Sequence, residues 1–591
     1  MSERPLICVI LALGALLMSP AAVAAGDEAA SQSFALVGVN VIPMDQERVL
    51  TDQTVVVIDG FIRIIGAQDQ TDVPDGIPTI PGRGRFLLPG FADLHVHIAH
   101  EDDLLNYLNW GVTTVMHLGG FGVPGSVLLE LKQAIADGRM LGPSIYTTDR
   151  TLDGDPPSGS NSLVLATEEQ ARAEVRRLKA DGFDLIKAYQ NFSRPVFDAL
   201  VAEAQAQDLA IVGHLPRHFD ALDAIKGGQN AIAHTEELFF TYFEGPRSTI
   251  DMPHDYRADL SKIPVLIEAM LANDVAIMPD LSFTFTDHLM WDDLDILWND
   301  TEFSYLHPAT AAMWRSGSIN RREGIENFVL REEWKYDVMQ ELTLRFQDAG
   351  VLQVVGTDAA VPGLFPGKAL HRELTEFVKA GLSNFDSLKI ATANGGEFIR
   401  KYIDAESRIG LVQPGYKANL VLLAENPLED FRNARTVEAV IINGRWTDAS
   451  QLAVQRTQLR ANYEEIDQAQ SRIELALQNG SESSIVPKVR NDYAEDPTIL
   501  SMIESQLNIA GYSALGDEDL ARAREIFRLN TEVFPNSANT WDSYAESFFM
   551  VEDYSNAEKF YQRALHTDPE FTNAERMLNR IEHAIAGTEA N

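Results

Sequence analysis

Cysteine is almost missing from this chain: among 591 residues only Cys8 occurs, inside an apolar run near the N-terminus. A single thiol excludes an intrachain disulfide, and no cysteine cluster exists to hold zinc or an iron–sulfur group. Any metal has to be held by His, carboxylates or a modified Lys. Basic residues are also scarce. Against 87 Asp and Glu stand 48 Lys and Arg, a formal net charge of −39, which disfavours nucleic acid and anionic membrane surfaces because both are bound through basic patches. Solubility is the simpler meaning of such a charge. Long hydrophobic runs are lacking too, since Leu6 to Met18 falls short of the roughly 20 residues of a membrane span.

What is present is ordinary globular composition, 45% hydrophobic and 23% charged, in a chain too long for one core. Arg4, the apolar run and Ala22-Val23-Ala24 read as a cleavable export signal over residues 1–24. A periplasmic or secreted protein, with no membrane attachment after signal removal, is the expectation. β-branched runs at Phe34–Pro43, Thr54–Gly66 and Thr79–Leu88, broken by Asp59-Gly60, Gly82 and Gly84, read as antiparallel strands joined by hairpins. The pattern returns at Asn419–Leu423 and Val437–Trp446, with an Asn443-Gly444 turn. Segments 25–87 and 401–450 are therefore expected to assemble one small composite β-sandwich domain around an α/β region, 88–400.

Within that region eight strand-like segments alternate with helical patterns. The strand of His95 is followed by Gly111–Leu118, Ser144–Thr148, Phe183–Tyr189, Leu209–Leu215, Ala231–Glu236, Val275–Leu281 and Leu352–Asp358. Eight βα units point to a TIM (β/α)8 barrel, fold class α/β, rather than an open doubly wound sheet. Ser282–Gly350, with Trp291, Trp298 and Trp314, is a long insertion expected to form helices over the barrel mouth. After a helical linker, 451–498, the tail repeats itself. Leu507, Ala510, Gly511, Ala523, Phe527 and Pro535 are matched 34 residues later by Trp541, Tyr544, Ala545, Ala557, Tyr561 and Pro569. Residues 499–591 thus resemble tetratricopeptide repeats, an all-α module of stacked helix pairs that would serve a protein partner or a homo-oligomer.

Active sites of such barrels lie at the C-terminal ends of the strands. His95 and His97 share a strand face about 7 Å apart at the end of an apolar run, so both imidazoles can reach one ion. At other strand ends stand His117, Lys187, His214, His234 and Asp358. Each alone has an ordinary explanation: a strand-end His is usually a satisfied polar residue, Lys187 can snorkel, and Asp358 can cap a helix. Their shared position at one mouth argues for a common site. A lysine between apolar residues is costly to bury as a cation, and reaction of its amine with CO₂ converts it into a bidentate carbamate able to bridge two metals. Tyr189 shares a strand face with Lys187, and His371 follows the loop after Asp358; with His117 they are candidate substrate contacts. His100 and His218 read as surface histidines.

Taken together, PGFADLHVH (89–97), FDLIKAY (183–189), IVGHLP (211–216), AIAHTEE (231–237), VGTDAAVPG (355–363), LHREL (370–374) and IGLVQPGYKANLVLLAENPLEDF (409–431) resemble the amidohydrolase superfamily. The match is to its binuclear branch, with imidazolonepropionase-like and prolidase-like members, and covers roughly Phe34 to Trp446. The resemblance implies a first metal on His95, His97 and Asp358, a second on His214 and His234, and a carbamylated Lys187 bridging them. Two divalent ions are implied, zinc first, with manganese, cobalt or iron compatible with the same ligands. It further implies a hydroxide between the metals as nucleophile, and Asp358 as the catalytic group that takes its proton and passes it to the leaving nitrogen. Two positions depart from the family pattern. Met116-His117 stands where relatives often have Arg-Asp, which concerns the substrate side, and Ala418-Asn419-Leu420 replaces Ala-Asp-Leu in the β domain.

The expected function is that of an exported metal-dependent amidohydrolase cleaving a dipeptide, an N-acyl amino acid or a related small-molecule amide. A lactone or phosphoester hydrolase on the same metal pair is the alternative among enzymes. Deamination fits less well, because mononuclear deaminases do not need a bridging lysine. Outside enzymes, the alternative is an interaction protein acting through its helical repeats.

Overall fold

The computed structural model describes residues 32–158, 161–243, 258–292, 295–311, 313–314, 326–516, 519–569 and 571–589. The expected export signal lies outside these residues. The described chain forms two compact units that divide between Leu459 and Arg460. Among the described residues no helix is long and apolar enough to cross a membrane.

In the first unit, one sheet is built from two stretches far apart in sequence. Phe34–Val41, Leu50–Ile58 and Phe61–Ala67 run antiparallel in order, as do Leu420–Leu423, Val437–Ile442 and Arg445–Asp448. Phe86–Pro89 joins the halves, pairing parallel with Phe34–Val41 and antiparallel with Leu420–Leu423. Residues of both stretches, among them Leu36, Val55, Leu420 and Ile441, share one core, and the two stretches form one continuous hydrogen-bonded sheet of eight strands. Its pairing is also mixed, because Thr79–Pro81 and Phe86–Pro89 both run parallel to Phe34–Val41. Parallel pairing needs a connection longer than a hairpin, and residues 68–78 supply it. Two hairpins do follow the sequence reading: Asp59-Gly60 (φ 51° and 78°) and Asn443-Gly444 (φ 50° and 78°) have the paired positive φ of two-residue turns. The turns pack against each other so closely that a Cβ on Gly444 would lie 2.5 Å from Gly60 Cα.

Parallel pairings then trace a ring. Phe91–Val96 pairs with Val112–His117, which pairs with Ser144–Thr147. The Asp184 N–H donates to Thr147 O at 2.9 Å. From Thr151–Asp153 the pairing continues through Leu185–Ala188, Ala210–Gly213, Ala231–Ala233 and Ala276–Met278. The last segment bonds to both neighbours: Val354 N–H donates to Ile277 O (3.1 Å) and Leu94 N–H donates to Val355 O (2.8 Å). A ring of parallel strands with intervening helices fits a TIM (β/α)8 barrel. Every residue of Phe91–Val96 is buried, as expected for a parallel strand covered on both faces. The helices outside follow local signals. Glu168–Asp181 starts at a Thr167–Gln170 capping box, buries Ala171, Val175 and Leu178 at helical spacing, and stops at left-handed Gly182.

The insertion before the last strand is helical where described, with Leu281–Asp292, Asp295–Trp298 and Glu326–Ala349. It is anchored beside the strand ends. The Trp314 indole N–H donates to Ala360 O at 3.0 Å while its ring packs edge-on against Phe365, and Lys335 Nζ lies 2.6 Å from Glu236 Oε2.

The second unit is a run of helices: the end of Ala449–Asn479, then Glu482–Asp492, Pro497–Gly516, Leu520–Val533, Ala538–Phe549, Tyr554–Thr567 and Thr572–Glu589. It begins at Arg460, within the stretch read as linker. Repeat positions are packing positions. Ala523, Phe527, Ala545, Ala557 and Tyr561 are all fully buried, and a Cβ on Gly511 would lie 2.4 Å from the Phe527 ring.

Candidate metal centre

The strand ends deliver their polar side chains to one place. His95 is at its centre, with Nε2 3.2 Å from Asp358 Oδ1 and 3.3 Å from Lys187 Nζ. His97 Nε2 lies 2.8 Å from the same Asp358 oxygen. Its Nδ1 bonds to the Gly119 carbonyl, which places the ring proton there and leaves the Nε2 lone pair free for a ligand. Across the mouth, His234 lies with its ring 4.7 Å from that of His95 and 4.8 Å from that of His214. Asp280 and Glu237 stand behind these rings. Asp280 Oδ2 is 2.6 Å from His234 Nδ1, and Glu237 Oε1 is 3.0 Å from His214 Nδ1 and 2.8 Å from the Arg217 guanidinium.

Backbone conformation helps to aim these groups. His234 (φ 69°), Asp280 (φ 54°) and Asp358 (φ 61°) all occupy the left-handed region, where non-glycine residues are uncommon. Each follows a strand end, so the reversal of the chain there turns the side chain into the mouth. Such conformations persist where the surroundings over-determine them, and they gather at functional sites.

Burial sets the protonation states. Desolvation holds His95 and His117 well below the ordinary imidazole value and His214 at about 4, so these rings are neutral, the form that offers a lone pair. Lys187, also buried, is pushed down to about 8. That leaves about a tenth of its amine uncharged at pH 7, the form able to react with CO₂. Burial opposes ionisation of Asp358, yet His97, His234 and Lys187 hold it at about 2. Asp280 is driven the other way, well above the carboxylate range, by burial and by Asp358 and Asp93.

These donors fit a divalent cation. His95 Nδ1, His214 Nδ1, Asp358 Oδ1 and both Asp280 oxygens are buried without an aligned hydrogen bond. Unsatisfied buried polar atoms are costly, and their convergence on one mouth is what metal ligands require. His95, His97 and Asp358 form one triad and His95, His234 and Asp280 another, each with its ligand atoms within 4.8 Å of one another. Nitrogen and oxygen donors without thiolate suit zinc or another first-row divalent ion.

The remaining candidates divide. Tyr189 packs against His214 with ring centroids 4.1 Å apart and rings tilted by 35°, and burial pushes its phenol above the ordinary value, so it stays protonated. His117 is buried with its ring 6.1 Å from that of His97, and its Nδ1 accepts the Ile98 N–H at 3.1 Å. His371 is not brought to the cluster. It lies in the helix Lys368–Ala380 between Phe91 (5.5 Å) and Trp110 (5.4 Å), with Nε2 2.8 Å from Trp110 O. This corrects its expected substrate role: packing takes up the ring next to Phe91, at the opposite end of the first strand from His95. His100 is not a free surface histidine either. It stacks on His307 with centroids 3.8 Å apart and rings 9° from parallel, and its Nδ1 is 3.1 Å from Asp102. His218 is exposed, as read.

Sequence reasoning missed Asp280, Glu237 and Arg217. Asp280 carried a usable signal, since it stands next to last in the VAIMPDL segment, just past a strand end like the other ligand types. Glu237 and Arg217 each lie three residues beyond a predicted ligand, His234 and His214, where no strand-end rule reaches.

A ring of parallel strands whose carboxyl ends converge on His, Asp and Lys fits a barrel with a candidate cation site. Comparison with known proteins makes this specific. Residues 338–447 match the amidohydrolase family. Ochratoxinase of Aspergillus niger is 22% identical over 471 residues, 68% of this chain and 82% of that protein. A putative prolidase from Bifidobacterium longum is similar in structure, with TM-score 0.54, 21% identity, and coverage of 72% of this chain and all of that one. The bottromycin amidohydrolase AH gives TM-score 0.57 at 20% identity, covering 73% of this chain and 91% of its own.

Proposed function

We propose that this chain hydrolyses the amide bond of a small molecule, a dipeptide or N-acyl amino acid, at two divalent cations held by the barrel mouth. The observation that carries the reading is the convergence of His95, His97, Lys187, His214, His234 and Asp358, with Asp358 Oδ1 within 3.2 Å of two imidazoles. Matches to an amidohydrolase family and to proteins named prolidase and amidohydrolase support amide cleavage.

His95, His97 and Asp358 would hold one cation, His214 and His234 the other, and Lys187, as its carbamate, would bridge them. When bound, the cations supply Lewis acidity that lowers the pKa of a water, polarises the amide carbonyl and stabilises developing negative charge. Asp358, ionised over the whole working pH range, accepts the proton of the attacking water and delivers it to the leaving nitrogen. Tyr189, protonated and packed against His214, would donate to a substrate oxygen. Export through residues 1–24, and a partner or second copy held by the helical repeats, belong to the same proposal.

The test is turnover of Xaa-Pro dipeptides and N-acyl amino acids by the metal-loaded protein, with Asp358→Asn as control. Cleavage in the wild type that falls by about a hundredfold or more in the variant supports the assignment. Turnover of lactones or phosphoesters with none of amides overturns it.

A further inference from the structure

A cavity of about 280 Å³ lies between the helices Leu281–Asp292 and Lys368–Ala380, and none of its lining residues belongs to the metal cluster. Four cations line it, Lys368, Arg372, Lys379 and Arg435, against two carboxylates, Asp300 and Glu376. Both carboxylates are already engaged. Asp300 pairs with Lys368 and accepts the Glu302 N–H at 2.9 Å, while Glu376 pairs with Lys379 at 3.1 Å and accepts the Tyr336 hydroxyl. Arg372 and Arg435 have no carboxylate partner among the described residues. Arg435 reaches only neutral acceptors, His371 O and Thr375 Oγ1, both at 3.4 Å, and Arg372 rests over the Phe285 ring at 5.0 Å.

This arrangement runs against the rest of the molecule. In a chain of net charge −39, two arginines line a concavity without an ion-pair partner among the described residues. Burial first, then the guanidinium groups of Arg372 and Arg432, hold Arg435 below its ordinary range, with Asp430 opposing them. An anion relieves that repulsion, so the cavity favours one over water. Trp110 and Phe365 also line the cavity and give it apolar surface.

We propose that this cavity binds a small organic anion, its carboxylate or phosphate held by Arg372 and Arg435 and its apolar body against Trp110 and Phe365. Guanidinium forks match both oxyanions bidentately, and the volume is near the lower end for ligand pockets, about 300 Å³. The proposal does not depend on the reaction at the metal cluster.

Isothermal titration of the full chain at constant ionic strength tests it, with phenylacetate and inorganic phosphate as separate probes. The proteins are the wild type, Arg372→Gln, Arg435→Gln and, as a distant control, Arg139→Gln. Saturable binding of either probe to wild type and control, weakened about tenfold or more in both cavity variants, supports the site, and the probe that binds identifies the head group. Absence of saturation with both probes overturns it. Binding that persists unchanged in both cavity variants belongs to another site and overturns it as well. The readout is heat of binding, so its failure and a failure of the amide-hydrolysis reading are separate results.

Discussion

The carboxylate of Asp280 lies 2.6 Å from Nδ1 of His234 and, through the same oxygen, 3.4 Å from Nδ1 of His95. One acidic group thus faces two imidazoles assigned to different metal positions. Carboxylates behind metal-binding histidines fix ring orientation and raise ligand basicity. Asp280→Asn is expected to lower metal affinity by about 10–100-fold, read by competition with a chelator of known affinity. Unchanged retention would show that Asp280 does not support the centre.

A second pairing joins the first and last barrel strands just behind the site. Thr357 donates twice to buried Asp93, from its N–H at 3.1 Å and its hydroxyl at 2.7 Å, while burial pushes the Asp93 carboxyl up to about 7. Thr357→Val keeps the volume but removes one donor from a buried acid. The expected loss is about 1–3 kcal/mol of stability, measured by urea unfolding, with Thr357→Ser close to wild type.

How much of this was legible in the sequence follows from what each feature depends on. The strand ring and six of the ligand types can be read because an apolar segment ending in His, Lys or Asp is a local pattern. Asp280 obeys the same pattern but follows Pro279, so it reads as a turn residue. The pairing of Phe86–Pro89 with Leu420–Leu423 links segments more than 300 residues apart. No local pattern shows that these two segments pair. His371 fails for a similar reason: its distance along the chain from Asp358 is visible, but the direction of the helix that carries it is not.

In the helical unit, close approach is the constraint. A methyl group at Gly511 would meet Phe527 ring atoms at 2.4 to 2.7 Å, and a ring in a packed interface has little room to withdraw. Gly511→Ala is expected to cost about 1–3 kcal/mol through overpacking, despite the better helix propensity of alanine. Hydrogen exchange in the full chain should show faster opening confined to Pro497–Val533, and wild-type protection there would contradict the packing argument.

Asp542 gives the same unit a pH dependence. Burial raises its carboxyl from 3.8 to about 7, with Glu546 adding to the rise and Asn573 and Arg576 opposing it. The folded state therefore holds the proton more tightly than the unfolded one. The resulting stability is fully present below pH 3.8 and is lost as pH rises through about 7. Hydrogen-exchange protection of Ala538–Phe549 is expected to fall between about pH 4 and pH 7 in the wild type, after correction for intrinsic rates. In Asp542→Asn that fall should flatten, and a slope of equal size in both proteins would exclude this residue as its source.

The central claim, a pair of cations bridged by Lys187, is tested most directly by the metal content of the purified protein. Elemental analysis of wild type and Lys187→Ala, prepared in parallel, is expected to give about two divalent ions per chain in the wild type and clearly fewer in the variant. Partial recovery of the variant in excess acetate, which can occupy the space of the missing carbamate, would strengthen the assignment. Equal stoichiometry in the two proteins would contradict it.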